Sequence, residues 1–432
     1  MKIGMISLGC AKNLVDTENV LGLLRFSGQK LTTSYDDAEA IIINTCGFIE
    51  SAKTEAIETI LETADLKKKG LKKLIVMGCL SQRYKEDLEQ EMPEVDRFIA
   101  IDEYPQMGAI LSEVLGVKIS NQYGLVPRML SGKPWMAYLQ ISDGCDNRCS
   151  FCAIPLIRGR LHSRDAQDVI EEAKKLAKDG VKEITLVAQD CSRFGFEKDH
   201  KAHLADLLKE LDKIDGIYWI RMLYLYPDEV DEELIDVIAT SRHVVPYFDI
   251  PSQSGSNRIL KAMRRRTSRE KIIGLCSLIR EKMPDAILRT TLIAGFPHET
   301  EEDFNETLDM VREIEFDRLG VFTFSPEEGT AAFEMDDDVP QGVKDARKDK
   351  ILAVQQEIGM RRLADRIGKE AEVMIERQDP LTMMYIGRSS EFAPDNVDGC
   401  IRFRSDKEYK PGDFTRVRYT KTSGQNLIGE EI

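Results

Sequence analysis

The sequence lacks any run of about 18 or more apolar residues, the length that a helix needs to cross a bilayer. It is also short of positive charge, since 60 Lys and Arg residues stand against 75 Asp and Glu residues, a formal net charge of −15. This balance disfavours a surface built throughout for phosphate groups and favours a basic partner, although a local basic patch is compatible with it. Ser7-Leu8-Gly9-Cys10 is similar to a lipoprotein cleavage site, but the stretch before it is too short for a signal sequence. We therefore expect a cytoplasmic protein without a membrane span.

The sequence also lacks a disulfide framework. Its nine cysteines are odd in number and are scattered through 432 residues, which indicates a reducing compartment and metal ligation. The length predicts about three domains, and an apolar content of 42% is enough to build their cores.

Three of the cysteines, Cys145, Cys149 and Cys152, lie within eight residues. Three thiolates can hold three irons of a cubane iron–sulfur cluster and leave the fourth iron open for a substrate or cofactor atom. A structural zinc site completed by His162 is the alternative, but such sites usually show paired Cys-x2-Cys spacings and a closed tetrahedron.

The residues around these cysteines carry a first resemblance. With Phe151 directly before the third cysteine, the pattern Cys-x3-Cys-x-Phe-Cys resembles the signature of the radical S-adenosylmethionine (SAM) enzymes. The resemblance implies a [4Fe-4S] cluster on the three thiols, SAM chelated by the open iron with Phe151 as a cofactor contact, and cleavage of SAM to a 5′-deoxyadenosyl radical. It also implies a reductant protein such as flavodoxin or ferredoxin.

The first 90 residues alternate apolar runs with helical patterns, which predicts a βαβαβα order and a mainly parallel sheet. Each of the three apolar runs is followed directly by a cysteine, Cys10, Cys46 or Cys79, with a glycine beside it. Ligands of parallel sheets lie at the carboxyl ends of the strands, so the three thiols should converge on one edge. Ordinary burial of free cysteines at strand ends is the alternative.

Two sets of three cysteines in this order resemble the methylthiotransferases, whose N-terminal domain binds a second, auxiliary [4Fe-4S] cluster. The resemblance assigns that cluster to Cys10, Cys46 and Cys79. The stretch from Gly9 to Glu18, with Lys12-Asn13, resembles the ribosomal-protein branch of the family more than the tRNA branch. Asn13 and Asp16 could equally serve as helix caps.

From Trp135 a second series of about six β/α units predicts a complete or partial parallel barrel, with its chemistry on the loops after the strands. By resemblance these loops contact SAM and the substrate, and Gln189 and Gln253 are the expected cofactor contacts. Gln189-Asp190 favours the ribosomal-protein branch, whereas Gln253-Ser254-Gly255-Ser256 resembles the tRNA branch. His298 replaces the usual second glycine of Gly-Phe-Pro-Gly-Glu-Thr. Single carboxylates on these loops, such as Glu299, could instead be capping groups.

Arg158, Arg160, His162 and Arg164 form a basic strip after the cysteine motif. The strip could hold an acidic substrate group or the SAM carboxylate, or it could be a solvated face. The remaining cysteines, Cys191, Cys276 and Cys400, have no companion at ligand spacing and are interpreted as packing residues.

A long charged helix over 343–367 is expected to precede a series of short strands. The strands predict a small antiparallel, OB-like β-barrel of five strands, similar in position and pattern to the TRAM domain of methylthiotransferases. From 371 to 432, nine Lys and Arg stand against eleven Asp and Glu, a balance of −2. This charge suits a basic protein better than an RNA backbone, and we expect Glu391, Asp395 and Asp398 on an exposed turn between strands, where they would attract such a protein.

The sequence therefore predicts a multidomain α/β protein with an N-terminal parallel-sheet domain (1–130), a radical SAM barrel (131–366) and a TRAM domain (367–432). The resemblance implies a methylthiotransferase that adds a methylthio group to the β-carbon of an aspartate in small-subunit ribosomal protein 12. By the same resemblance, one SAM is expected to methylate a sulfur at the auxiliary cluster, and another is expected to give the radical that abstracts hydrogen from the aspartate. The alternative is a tRNA methylthiotransferase acting on a modified adenosine next to the anticodon, and tRNA is the less expected partner.

Overall fold

The computed structural model describes residues 1–395 and 397–432, and in it the chain forms two compact units. The first unit comprises Met1–Lys133, Asp143–His162 and Glu327–Phe333, and the second comprises Pro134–Ser142, Ser163–Pro326 and Glu334–Ile432. The motif with Cys145, Cys149 and Cys152 thus belongs to the same unit as the N-terminal sheet. The three sequence ranges given above remain a prediction. None of the described helices is long and apolar enough to cross a membrane.

The first unit is built on a five-stranded parallel sheet in the order β2-β1-β3-β4-β5, as the alternating pattern predicts. Its elements are β1 (Lys2–Ser7), α1 (Ala11–Phe26), β2 (Lys30–Thr32), β3 (Ala40–Thr45), α2 (Glu50–Ala64), β4 (Lys73–Gly78), α3 (Cys79–Glu91), β5 (Arg97–Ile99) and α4 (Met107–Leu115).

Both faces of this sheet are covered. Ile42 and Met77 pack with α1 and α4 on one face, and Ile43 and Val76 pack with α2 and α3 on the other. Because side chains alternate along a strand and both faces are buried, β3 and β4 appear in the sequence as nearly continuous apolar runs.

The chain then adds β6 (Met136–Gln140), β7 (Ser142–Asp143), α5 (Ile154–Ile157) and β8 (His162–Ser163). In the second unit there follow α6 (Ala166–Lys178), β9 (Glu183–Val187), α7 (Phe196–Asp199), α8 (Leu204–Leu211), β10 (Trp219–Met222), α9 (Glu232–Thr240), β11 (Tyr247–Asp249), α10 (Asn257–Ala262), α11 (Arg269–Lys282), β12 (Ile287–Ala294), α12 (Glu301–Ile314), β13 (Arg318–Thr323) and α13 (Gln341–Ala364).

These strands make two parallel sheets, β6-β9-β10 and β11-β12-β13, which a parallel bridge between Ile220 and Val244 connects. The result is a six-stranded partial barrel, compared with eight strands in a complete (β/α) barrel. The predicted barrel is confirmed in its partial form, and its loops follow the carboxyl ends of the strands.

The chain ends in β14 (Glu370–Gln378), β15 (Tyr385–Arg388), β16 (Ile401–Arg404), β17 (Phe414–Ser423) and β18 (Asn426–Glu431). They close into a five-stranded barrel in the order β14-β15-β16-β18-β17. The expected small barrel is present, and one pairing, between β16 and β18, is parallel rather than antiparallel.

A fully buried ionic network joins the partial barrel to the terminal barrel. Glu183 at the start of β9 accepts from Nε of Arg221 on β10 at 2.9 Å and from Nη2 of Arg388 on β15 at 2.6 Å. Nε of Arg388 also donates to Glu376 at 2.8 Å, and both arginine side chains are 0% exposed. Burial acts to raise the pKa of Glu183, but the charges of Arg388 and Arg221 outweigh burial and lower the pKa below its ordinary value.

The turn after β15 extends this contact. Asp398 is buried and accepts from the hydroxyl of Tyr247 at 2.6 Å and from Arg289 at 3.3 Å, while Asp395 accepts from Tyr138. Glu391 pairs with Arg366. The sequence suggested that these three carboxylates lie on an exposed turn available to a basic partner, and that interpretation is wrong for Asp398 and Glu391 because tertiary partners cover them.

Replacing Glu183 with Gln should lower the free energy of unfolding of the second unit by about 3–5 kcal/mol, because two buried guanidinium groups would lose their shared counter-charge. The check is the denaturant midpoint by circular dichroism, with Glu210→Gln as control. Glu210 belongs to an exposed pair with Lys213 and should leave the midpoint nearly unchanged. An unchanged midpoint in Glu183→Gln would contradict the role given to the network.

The pairing of Glu183 with Arg388 and Arg221 also predicts that the free energy of unfolding depends on pH. Because the pKa of Glu183 in the fold is lowered, its stabilising effect is complete above the ordinary carboxyl range and is lost as the pH falls through the lowered value. The difference in free energy of unfolding between the wild type and Glu183→Gln should therefore become smaller as the pH falls. If this difference became larger as the pH falls, the pKa of Glu183 in the fold would be raised and not lowered, and the prediction would be wrong.

Candidate iron–sulfur sites

The three N-terminal cysteines lie at the carboxyl edge of the sheet, each within three residues of the end of a strand. Cys10 follows β1 and precedes α1, Cys46 follows β3, and Cys79 is the first residue of α3 after β4. Because β1, β3 and β4 are neighbours in the sheet, the predicted convergence on one edge is confirmed. All three are free thiols.

Asn13 fixes the space between two of these thiols. Its Nδ2 donates to the carbonyls of Leu8 at 3.2 Å and Thr45 at 3.0 Å. Its Oδ1 is thereby directed at Cys10 and Cys79, whose Sγ atoms lie 4.0 and 3.6 Å away. The interpretation of Asn13 as a helix cap is wrong, since Cys10 occupies the cap position of α1 and Asn13 is buried.

Two glycines allow the backbone to turn at this edge. Gly9 and Gly78 have φ values of +88° and +106°, a region that favours glycine. A Cβ at Gly9 would lie 2.8 Å from Cβ of Cys46, and a Cβ at Gly78 would lie 2.4 Å from Oδ1 of Asn44. The edge is therefore a cradle that side chains at these two positions would fill.

The thiols differ in their electrostatic environment. Burial raises the pKa of Cys79 to about 11 against the opposing charge of Arg158, and burial also raises the pKa of Cys46. Surrounding protein atoms act to raise the pKa of Cys10, but Lys12 and the backbone N–H groups at the start of α1 outweigh them and lower it. Cys10 is thus the thiol most readily converted to the thiolate that binds metal.

The second set of cysteines lies on the loop between β7 and β8. The amide of Cys145 donates to the carbonyl of Gly159 at 3.2 Å, and the amide of Cys152 donates to the carbonyl of Cys149 at 3.1 Å. The amide of Asn147 lies 3.5 Å from Sγ of Cys145. Backbone bonds thus curl the chain around the three thiols, each of which is half-buried, and Phe151 beside them is half-buried as well.

The loop that carries the second set of cysteines shares a small apolar core with Cys79 of the first set. Ala153 and Ile157 of the loop are buried against Cys79, with Phe48 and Ile101 packed around them. The helix α5, which begins two residues after Cys152, therefore lies directly on the N-terminal thiol edge.

Arg158, at the end of α5, reinforces this contact with a buried charge. Its side chain is 2% exposed, and Nη2 donates to Asp16 at 2.8 Å, to Asn13 at 2.9 Å and to Sγ of Cys79 at 3.8 Å. Its Nη1 donates to Asp143 at 3.1 Å. Burial acts to lower the pKa of Arg158, but the carboxylates of Asp16 and Asp143 outweigh burial and hold the pKa well above its ordinary value.

The predicted basic strip is therefore not one surface. Arg158 faces inward, whereas Arg160 is exposed and pairs with Asp146 at 3.1 Å. His162 is exposed, and Arg164 pairs with Glu172 at 2.7 Å. Asp16, the other suggested cap, is instead the buried partner of Arg158, and burial raises its pKa to about 6 in spite of that guanidinium.

The loop residues expected to contact SAM belong to the second unit. Gln189 follows β9, and Gln253 bridges to Leu292 with a φ of +74°. The residues after Gln253 turn toward α12, where Ser256 donates to Asp303 at 2.6 Å and Gly255 packs on Thr307. The Ser-Gly-Ser sequence that resembles the tRNA branch thus has a packing role in this fold.

Two carboxylates on these loops are satisfied within the protein. Asp249 accepts from the amide of Tyr224 at 3.2 Å, and Glu299 accepts from the amide of Gly295 at 2.9 Å and from Arg347 at 2.8 Å. These contacts are those of capping and pairing groups.

His298 has a φ of +65°, which explains why glycine is usual at its position. Its backbone N–H and its ring both contact Asp338, at 2.7 and 3.0 Å. The chain therefore keeps the left-handed turn with a histidine in it.

Comparison with known proteins gives the same three-part order. Residues 2–100 match the model of uncharacterized protein family UPF0004, residues 139–311 that of the radical SAM superfamily, and residues 367–432 that of the TRAM domain. Relatives from Acetivibrio thermocellus, Clostridioides difficile and Aquifex aeolicus are each 45% identical over 100% of this chain and over 98%, 99% and 97% of their own lengths. Each is described as a ribosomal protein uS12 methylthiotransferase, RimO.

The chain belongs to the uS12 methylthiotransferase family. Among solved structures it resembles TsrM, a radical SAM methyltransferase from Kitasatospora setae, with a TM-score of 0.55 and 12% identity over 74% of this chain and 72% of that one. It also resembles the radical SAM enzyme OxsB, with a TM-score of 0.53 and 14% identity over 83% of this chain and 56% of that one. At these identities the two structures support the fold alone.

The thiol groups of the two cysteine sets fit iron–sulfur clusters as ligands. Each set offers three thiols, the ligand type that Fe–S clusters take, and the N-terminal set lies in a cradle kept open by glycine. Among the residues that the structure describes, no three His, Cys, Asp or Glu side chains lie close enough to hold a single metal ion. The thiolates of a cubane bind separate irons and stand farther apart than the ligands of one ion.

Sequence reasoning missed the burial of Arg158 and the inclusion of Glu327–Phe333 in the first unit. Arg83 of α3 pairs with Glu327 at 3.0 Å, with both side chains 4% exposed, and the amide of Ala332 donates to the carbonyl of Ser150 at 2.7 Å. The signal for Arg158 is its place directly after the apolar stretch of α5. No local signal marks the segment at 327. The remaining cysteines, Cys191, Cys276 and Cys400, are buried, as their interpretation as packing residues requires.

Replacing Gly78 with Ala should displace Cys79, because the new Cβ would clash with Asn44 and with the carbonyl of Thr45. We expect the variant to lose about half of the iron bound after anaerobic reconstitution, as for the loss of one cubane of two. Gly70→Ala is the matched control, since Gly70 has a φ of +115° but nothing within 4 Å of the added Cβ. The iron and sulfide contents of the two variants are compared after reconstitution. A full iron content in Gly78→Ala would contradict the claim that Gly78 keeps the space at this edge open for a cluster.

Proposed function

We propose that this protein adds a methylthio group to the β-carbon of an aspartate in ribosomal protein uS12, with SAM and two [4Fe-4S] clusters as cofactors. The names of its relatives, at 45% identity over the whole chain, support the reaction and the substrate. The tRNA alternative rests on the sequence Gln253-Ser254-Gly255-Ser256, and in this fold the last three of these residues pack against α12.

The proposal assigns one cluster to Cys145, Cys149 and Cys152 and the auxiliary cluster to Cys10, Cys46 and Cys79. When bound, the clusters and SAM supply the radical and the sulfur, and the protein supplies ligation, orientation and exclusion of water. Phe151, Gln189 and Gln253 are proposed SAM contacts on the strength of the family motif alone.

The chain's own residues have three tasks around the auxiliary site. Phe48, Ile101 and Ile157 form an apolar wall beside Cys79, which keeps water from that side. Asn13 separates Cys10 from Cys79, and Arg158 places a fixed positive charge next to a site that binds through negative thiolates.

The observation that carries the proposal is the packing of Ala153 and Ile157 on Cys79 within one unit. A methylthiotransferase needs its SAM-cleaving loop near the site that presents sulfur. Two unrelated metal sites would have no such requirement.

The proposed partner is the basic ribosomal protein rather than tRNA, because the terminal barrel carries more acidic than basic residues. We further propose a cytoplasmic location and a small reductant protein, such as flavodoxin or ferredoxin, as electron donor.

Changing Cys10, Cys46 and Cys79 together to Ala should preserve reductive cleavage of SAM to 5′-deoxyadenosine and abolish methylthiolated product. Changing Cys145, Cys149 and Cys152 should abolish both, because only that set matches the SAM-cleaving motif. Each triple variant should retain about half of the iron, as expected for one remaining cubane. Chromatography of 5′-deoxyadenosine and mass spectrometry of uS12 give the two readouts.

The Cys191→Ala variant, which alters a buried cysteine outside both sets, is the control and should retain both activities. Methylthiolated uS12 from the enzyme without Cys10, Cys46 and Cys79 would refute the sulfur-presenting role of that set.

Reversing the exposed charges of Asp406 and Glu408, in the loop between β16 and β17, to Lys should weaken binding of uS12 and leave SAM cleavage unchanged. Exposed charges act over about 8 Å at physiological salt, so the loss should shrink as salt rises. Fluorescence titration against uS12 and tRNA at two salt concentrations measures the effect.

Glu58→Lys with Glu62→Lys on α2 makes the same change of charge at an exposed site outside the terminal barrel, and should have a smaller effect on uS12 binding. If the variant with Asp406 and Glu408 reversed binds tRNA more tightly, shows tRNA-dependent turnover and binds uS12 as well as the wild type does, the tRNA hypothesis is favoured instead.

A further inference from the structure

Arg158 is the one residue of the SAM-motif loop whose charged atoms are seen to reach both an auxiliary thiol and the carboxylates behind it. Its Nη2 faces Sγ of Cys79 at 3.8 Å while bonded to Asp16 at 2.8 Å, and its side chain is 2% exposed. Burying a guanidinium costs free energy even when it is paired, so this placement calls for a role beyond loop attachment.

The charge balance around Arg158 indicates that role. When Cys10, Cys46 and Cys79 bind iron they do so as thiolates, and Asp16 and Asp143 add two further carboxylates nearby. Against these negative groups the near cations are Arg158 and Lys12, which both act on Cys10. Of these two, Arg158 also contacts Cys79 and is fixed by four hydrogen bonds.

We infer that Arg158 is a positioning residue that raises the reduction potential of the auxiliary cluster, through its charge and its N–H directed at Cys79. The inference rests on the proposed function, since it requires a cluster on Cys10, Cys46 and Cys79.

The physical reason is that reduction adds negative charge to a site already rich in it. A positive charge held beside a ligating sulfur, and a hydrogen bond to that sulfur, both favour the reduced form, and both are recognised determinants of cluster potential. Because Arg158 is carried by the loop of the other cysteine set, the SAM-cleaving loop would itself tune the site that presents sulfur.

The experiment uses the full-length chain with Cys145, Cys149 and Cys152 changed to Ala, so that the auxiliary cluster is the only one observed. Arg158→Gln in this background should lower the ratio of reduced to oxidised cluster at least tenfold at a fixed potential. That change corresponds to a shift of about 59 mV for a one-electron couple. Electron paramagnetic resonance during a redox titration measures the ratio.

Arg160→Gln is the matched control, because Arg160 is two residues away on the same loop but is exposed and paired with Asp146. It should leave the ratio within about threefold of the parent, since exposed charges are screened by solvent. A role of Arg158 in folding alone would change iron content or stability without moving the potential.

If Arg158→Gln fails to reconstitute because Asp16 is left buried without a partner, Arg158→Met with Asp16→Asn removes both charges and leaves no side-chain N–H at position 158. It should show a shift in the same negative direction, because the N–H facing Cys79 is lost. Full iron content with an unchanged potential, in either variant, would overturn the inference and leave the proposed function standing. If the parent, in which Cys145, Cys149 and Cys152 are changed to Ala, binds no iron after reconstitution, both the inference and the proposed function are overturned.

Discussion

The placement of the N-terminal thiols and of the expected SAM contacts depends on one property of parallel sheets, that all strands end on the same edge. In the first unit this edge collects Cys10, Cys46 and Cys79 after three neighbouring strands. In the second unit the same rule places Gln189 after β9 and Gln253 beside β12. Distant parts of the chain thus reach one edge within each unit without long loops of their own, as in other parallel α/β proteins.

Two buried ionic groups hold this arrangement together, one in each unit. Arg158 binds the cysteine loop to the N-terminal sheet, and Glu183 with Arg221 and Arg388 binds the terminal barrel to the partial barrel. Paired buried charges add little net stability compared with apolar packing, but breaking one pair is costly. They therefore matter mainly through the cost of separating their partners. Arginine suits both places because its planar group can contact several acceptors at once.

The sequence predicted the features that arise from local pattern. The parallel sheet, the six β/α units, the small terminal barrel and the convergence of three thiols all follow from apolar runs, strand ends and cysteine positions. The errors concern residues whose environment depends on distant partners. Asp398 is covered by Tyr247 and Arg289, Glu391 pairs with Arg366, and Arg158 is drawn inward by Asp16. Each of these side chains is polar and lies in or beside a turn, so its sequence context predicts exposure, and only the tertiary fold reveals the partner.

The claim that the protein modifies uS12 is tested most directly in cells that lack its gene. Mass spectrometry of ribosomal proteins and of tRNA from such cells, with and without the gene restored, compares the two substrates in one experiment. The account predicts that uS12 loses a methylthio group on the β-carbon of one aspartate, regains it on complementation, and that methylthiolated adenosine in tRNA does not change. Loss of the tRNA modification with uS12 unaltered would contradict it.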